Sequence, residues 1–117
     1  MTLRLEKDGY VLLIFSEACP ESQASQNVDI EVVFDDGRRY SGTMFTLAAL
    51  EALMASNGAT GEMASGSYFW CPDLVVVKEL SVEVITRCIE DIIRQGVIDS
   101  ALQALDSTEK LKTLLDL

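Results

Sequence analysis

The chain holds 117 residues, enough for one hydrophobic core and too few for two. Hydrophobic residues make up 49% and charged residues 24%, values that exclude disordered, collagen-like and coiled-coil chains. With 19 acidic residues against 9 basic ones the net charge is −10, so the clustered Lys and Arg needed to neutralise phosphates are missing and nucleic acid is not an expected partner.

The first nine residues alternate Leu with charge and lack the basic start and apolar run of a signal peptide. The longest clean apolar run, residues 11–15, falls far short of the ~20 residues that cross a bilayer, so a cytoplasmic protein with no membrane partner is expected. Cys19, Cys71 and Cys88 are widely spaced, and there is no histidine to complete a zinc site. Reduced thiols, no metal and no cofactor are the expectation.

Leu3 and Leu5 alternate with Arg4 and Glu6, Lys7-Asp8-Gly9 supplies turn chemistry, and Tyr10 opens an apolar segment. This predicts a hairpin whose second strand is covered on both faces. Residues 17–27 are polar and contain Pro20, which predicts a surface loop and a candidate contact segment. In the next hairpin the turn length decides the register. A two-residue turn at Asp36-Gly37 would set Val32 opposite Ser41, aliphatic against hydroxyl. A three-residue loop, Asp35-Asp36-Gly37, sets Val32 opposite Tyr40, Ile30 opposite Gly42 and Val28 opposite Met44, gathering the apolar set on one side. Gly37 then takes the left-handed position of the bulged turn, and Asp29, Glu31, Ser41 and Thr43 face water.

Thr46 is a good N-cap for a helix running to about Asn57 with Gly58 as its left-handed stop. Leu47, Leu50, Leu53 and Met54 form its main stripe, while Ala48, Ala49, Ala52 and Ala55 surround a single charge, Glu51, as in a helix that is buried or leaned on by a partner. Residues 59–67 read as a flexible connector, and residues 68–71 as an extended segment held so by Pro72. Residues 74–77 form a β-branched strand. Ser81 caps a second helix, with Leu80 and Ile85 as a hydrophobic staple and Gly96 at its end; Val82, Ile85, Cys88, Ile89, Ile92 and Ile93 share one side of it. Ion pairs at i,i+4, Glu83 with Arg87, Arg87 with Asp91 and Glu90 with Arg94, are expected along the opposite side. Two further short helices are predicted over 99–105 and 108–115. The predicted fold is a single α+β domain over residues 1–117: an antiparallel sheet of about five to six strands with helices, the Ser81 helix and the Thr46 helix, packed on one face.

The stretch Phe34-Asp-Asp-Gly-Arg-Arg-Tyr40, then Phe45-Thr-Leu47, Thr60-Gly-Glu62, Tyr68-Phe-Trp70 and Asp73-Leu-Val-Val-Val77 resembles a family of small uncharacterised bacterial proteins, some of them similar to immunity proteins encoded beside secreted toxins. The resemblance covers residues 28–96. It implies a cytoplasmic bacterial binder and transfers no catalytic residue.

Without histidine, Ser-His and Cys-His nucleophile pairs are excluded. Asp35-Asp36-Gly37 lacks the oxygen ligands and closing glutamate of a calcium loop, and Gly61 and Gly66 lack the Lys-Ser/Thr of a phosphate loop. Cys88 is expected as a plain core thiol, Cys71 has no basic neighbour to activate it, and Cys19 is the thiol most exposed to adventitious disulfide formation. Tyr68, Phe69 and Trp70 cannot all face the core if side chains alternate, so either Phe69 or the Tyr68/Trp70 pair looks outward. The sequence therefore predicts no enzyme but an acidic protein-binding module, with a basic toxin as the partner it suits. Its candidate partner-binding residues are Asp29, Glu31, Asp35, Asp36, Tyr68 and Trp70. The alternative is a structural homo-oligomer, such as a homodimer, that uses the alanine-rich helix side and the outward aromatics.

Overall fold

Period-two alternation builds the sheet. The computed structural model describes residues 2–15 and 27–105. Strands β1 (Thr2–Glu6) and β2 (Tyr10–Phe15) form the first hairpin, closed by Lys7 N donating to the Tyr10 carbonyl at 2.8 Å with Gly9 at φ 87°. Strands β3 (Asn27–Phe34) and β4 (Arg39–Phe45) form the second. Its register is the one that the three-residue loop demands, Val28 opposite Met44, Ile30 opposite Gly42 and Val32 opposite Tyr40. Gly37 N donates to the Phe34 carbonyl at 3.0 Å, Phe34 N to that of Arg38 at 2.8 Å, and Gly37 sits at φ 95°, where a Cβ would be penalised.

One side of these strands is the core. Leu12, Ile14, Ile30, Val32, Tyr40 and Met44 are all buried, and the helix α3 (Val82–Arg94) lays Ile85 and Ile89 against them. The Ser81 hydroxyl accepts from Val84 N at 3.1 Å as the cap requires. At the other end Gly96 N reaches the Ile93 carbonyl and Val97 N that of Ile92, the paired bonds of a Schellman stop, with Gly96 at φ 71°. Cys88 is half-buried against this core, and burial pushes its thiol pKa up, as expected of a packing residue.

The architecture is α+β, a six-stranded sheet in the order β1-β2-β3-β4-β5 (β5, Leu74–Val76) with β6 (Gln103–Leu105) also on β4. All neighbours are antiparallel except β4 and β5 (Leu74–Val76), which run parallel because α1 and a connector carry the chain back before β5 begins. Several expectations give way to tertiary context. The second strand of the first hairpin is covered on one face only: Val11 and Leu13 are half-buried and Phe15 is 37% exposed. The helix α1 (Leu47–Thr60) runs past Asn57 to a left-handed stop at Gly61, and Gly58 lies within it. That glycine serves close packing instead, since the Gly66 Cα approaches so near that a Cβ there would lie 3.0 Å from Gly58 N and 2.1 Å from the Met54 carbonyl oxygen. The connector is not free either: α2 (Glu62–Gly66) is a left-handed turn with Met63, Ala64 and Ser65 at φ 50–58°.

Nor does α1 cover the sheet as α3 does. Its buried residues are Ala49 and Asn57, and Leu47, expected in the apolar stripe, is 69% exposed. After the short helix α4 (Ile98–Ala101) the predicted helix over 99–105 is replaced by a strand, β6 (Gln103–Leu105), which pairs with Arg39, Tyr40 and Ser41 on the free edge of β4. Ile98 and Leu102 are buried in the core, so anchoring and an open ladder outweigh local helical preference. On α3 the Glu83–Arg87 pair forms at 3.3 Å, but Arg94 pairs with Asp91 and Glu90 turns to Lys7 at 3.7 Å. The loop 17–27 for the most part, Cys19 and the helix predicted over 108–115 lie outside the described residues.

Candidate functional site

Alternation that sends Leu12, Ile30 and Met44 inward sends Phe15, Asp29, Glu31, Ser41 and Thr43 outward, and no described helix takes part in covering them as α3 covers the inner face. Between these side chains lies a depression of about 350 Å³, closed at one side by Asp73. Asp29 is exposed and accepts from the Thr43 hydroxyl at 3.1 Å. Glu31 is half-buried and carries an ion pair with Arg39, whose Nε donates to it at 2.6 Å, so its charge is spent within the sheet.

Asp73 is the residue the sequence reading missed. It stands directly after Pro72, in a turn ahead of β5, with its backbone at φ 52°, and its carbonyl accepts from Thr43 N at 3.1 Å. Asp tolerates the left-handed region better than most residues, which is why an acid can sit there. Its Oδ1 is shielded from solvent and has no hydrogen-bond partner among the described residues. Burial raises its carboxyl above the ordinary range, and the nearby Asp29 charge adds to the rise. An acid between a proline and a predicted β-branched strand was the available signal; the parallel pairing of that strand with β4, which brings Asp73 to Asp29, was not.

The aromatic connector, residues 68–71, leads through Pro72 to Asp73 at one wall of this depression. Phe69 packs edge-on against Phe45 with ring centroids 5.4 Å apart, while Tyr68 and Trp70 are 50% and 63% exposed. The Tyr68/Trp70 pair is therefore the outward one, although the segment is not a regular strand. Cys71, next to Trp70, has its thiol pKa raised by burial first and then by the charges of Asp73 and Asp29, which places the connector beside both acids and makes the thiol a poor nucleophile.

Asp35 and Asp36 fall elsewhere, at the hairpin tip roughly 20 Å along β3 from Asp29. Asp36 accepts from the Arg38 backbone N at 3.0 Å and its Nε at 2.8 Å, interactions that hold its carboxyl below the usual range, the backbone bond first. Asp35 N donates to the Gly9 carbonyl at 3.0 Å, joining the two hairpin turns. Of the six sequence-predicted residues, Asp29 and Glu31 line one depression, Tyr68 and Trp70 stand exposed on the connector that leads to Asp73, and the tip pair stands apart.

A larger groove of about 730 Å³ opens between the starts of α1 and α3, with Leu47 and Lys78 on its walls. Its hydroxyls, Thr46 and Ser81, already cap the two helices. No group of three or more His, Cys, Asp or Glu side chains able to hold a metal occurs among the described residues. No described helix is long and apolar enough to cross a membrane. Compared with protein-family models, curated proteins and solved structures, the chain matches none of them.

Proposed function

We propose that this chain is a non-enzymatic protein-binding module that receives a basic side chain of its partner in the depression between Asp29 and Asp73. The observation that carries the reading is the Asp73 carboxylate, one oxygen of which is cut off from water without a donor among the described residues while a second acid stands nearby. Such an arrangement is costly in the free protein, and a guanidinium or ammonium seated between the two acids would satisfy both. Exposed Phe15 on its wall supplies apolar contact, and exposed Trp70, on the connector that leads to Asp73, offers a side chain of the type that dominates interface energies. A net charge of −10 would speed encounter with a cationic protein and make that step sensitive to salt.

In its finer form the reading makes the partner a basic bacterial toxin, such as a nuclease, and this chain the cytoplasmic immunity protein that occludes it. Capture from the native host compares wild type with Asp29→Lys and Trp70→Ala, both changes at exposed positions that leave the core untouched. A basic protein retained by wild type, released as salt rises and lost by both variants supports the reading. A partner retained equally by all three, or no partner at all, overturns it.

A further inference from the structure

Strand β1 closes one edge of the sheet, and among the described residues it pairs with β2 alone. In a two-residue hairpin the residues flanking the turn exchange hydrogen bonds, here Lys7 and Tyr10, and alternation then makes Leu5–Leu12 and Leu3–Ile14 the bonded pairs. Thr2, Arg4 and Glu6 consequently aim their backbone N–H and C=O groups away from β2, at the open edge. This edge has no proline and no bulge, the usual means of blocking further pairing.

The side chains on it restrict what can be added. Consider a second copy of the chain, its β1 antiparallel to the first about a twofold axis. Centring the axis on Arg4 would set Arg4 against Arg4, and centring it on Glu6 would set Glu6 against Glu6, like charges directly opposed in both cases. Centring it on Leu5 sets Arg4 of each copy against Glu6 of the other, in the bonded positions that their backbones already offer. Leu5 then meets Leu5 in the closer, non-bonded position. Arg4 and Glu6 are free to do this: within one chain they hold each other only through a 3.4 Å contact, with side chains 61% and 77% exposed. Leu5 is half-buried and packs against the core, so pairing at this position would extend the apolar layer across the axis.

We infer that β1 is a homodimer interface, in which two copies join edge to edge with Arg4 facing Glu6 on either side of a central Leu5 pair to form one continuous twelve-stranded sheet. The inference stands apart from the binding reading above, since β1 lies at the far side of the sheet from Asp73 and β5.

Sedimentation velocity on Arg4→Glu, on Glu6→Arg and on their equimolar mixture tests it. Wild type should sediment as two chains. Each single variant opposes like charges twice and should dissociate at least roughly tenfold more readily. The mixture pairs an all-acidic edge with an all-basic one and should restore the dimer as a heterodimer. Unchanged far-UV circular dichroism checks that the variants fold. A wild type that stays monomeric at high concentration, variants that dimerise as wild type does, or a mixture that fails to recover the dimer would each overturn the proposal.

Discussion

The two faces of the sheet are made by the same strands and differ in almost every physical respect. Inward, Leu12, Ile30, Val32 and Met44 meet Ile85 and Ile89 of α3, and every one of them is buried. Outward, Phe15 stays partly in water, Glu31 is paired with Arg39, and Asp73 keeps an oxygen without a donor among the described residues. One register produces both: a change at an even position of β3 addresses the core and one at an odd position addresses the outer surface.

Mutations can break or sharpen that contrast. The largest effect is expected inward. Ile89 is fully buried, and Ile89→Ala should lower the unfolding free energy by about 2–5 kcal/mol in urea titrations followed by circular dichroism, through lost burial and the cavity left behind. A smaller loss is expected where the inner face is joined to α4. Tyr40 is buried and its hydroxyl donates to Asp99 Oδ1 at 2.7 Å, a bond that, with burial, holds the phenol above its usual pKa. Tyr40→Phe should cost about 1 kcal/mol in the same titration, with an unchanged denaturant slope.

The outward face should respond with the opposite sign. Because the folded state holds the Asp73 carboxyl above its ordinary value, it binds that proton more tightly than the unfolded chain does. The folded state is then favoured at pH below the ordinary carboxylate range, and stability declines as pH rises from that range through the raised folded value. Asp73→Asn keeps a residue suited to φ 52° and removes the charge. It should flatten this decline and stabilise the protein at neutral pH by about 0.5 kcal/mol, read from thermal melts across pH.

What was legible in the sequence follows from the range of the interactions concerned. The β3–β4 register is encoded locally, since the apolar period and Gly37 admit one loop length, and the α3 caps are encoded within four residues of each end. Strand β6 was not legible, because Gln103-Ala-Leu105 is extended for the sake of Tyr40 and its neighbours, more than sixty positions away. The turn at α2 was hidden for a similar reason: its left-handed residues are held by the contact of Gly66 with Met54 and Gly58, not by their own preferences. In the candidate site, Asp29 came from alternation alone; alternation left either Phe69 or the Tyr68/Trp70 pair outward, and the packing of Phe69 on Phe45 decides between them, whereas Asp73 needed the parallel pairing of β4 with β5 to reach Asp29.

The close seating of Gly66 on α1 bears on how the molecule would report its own unfolding. Helix α1 and the turn form a block tied to one another more than to the sheet, whereas the connector that carries Trp70, the sole tryptophan, is seated on β4 through Phe69 against Phe45. Intrinsic fluorescence would therefore register the release of the connector from β4, while amide exchange in β2 and β3 registers the loss of the central strands, and the two signals have no obligation to coincide.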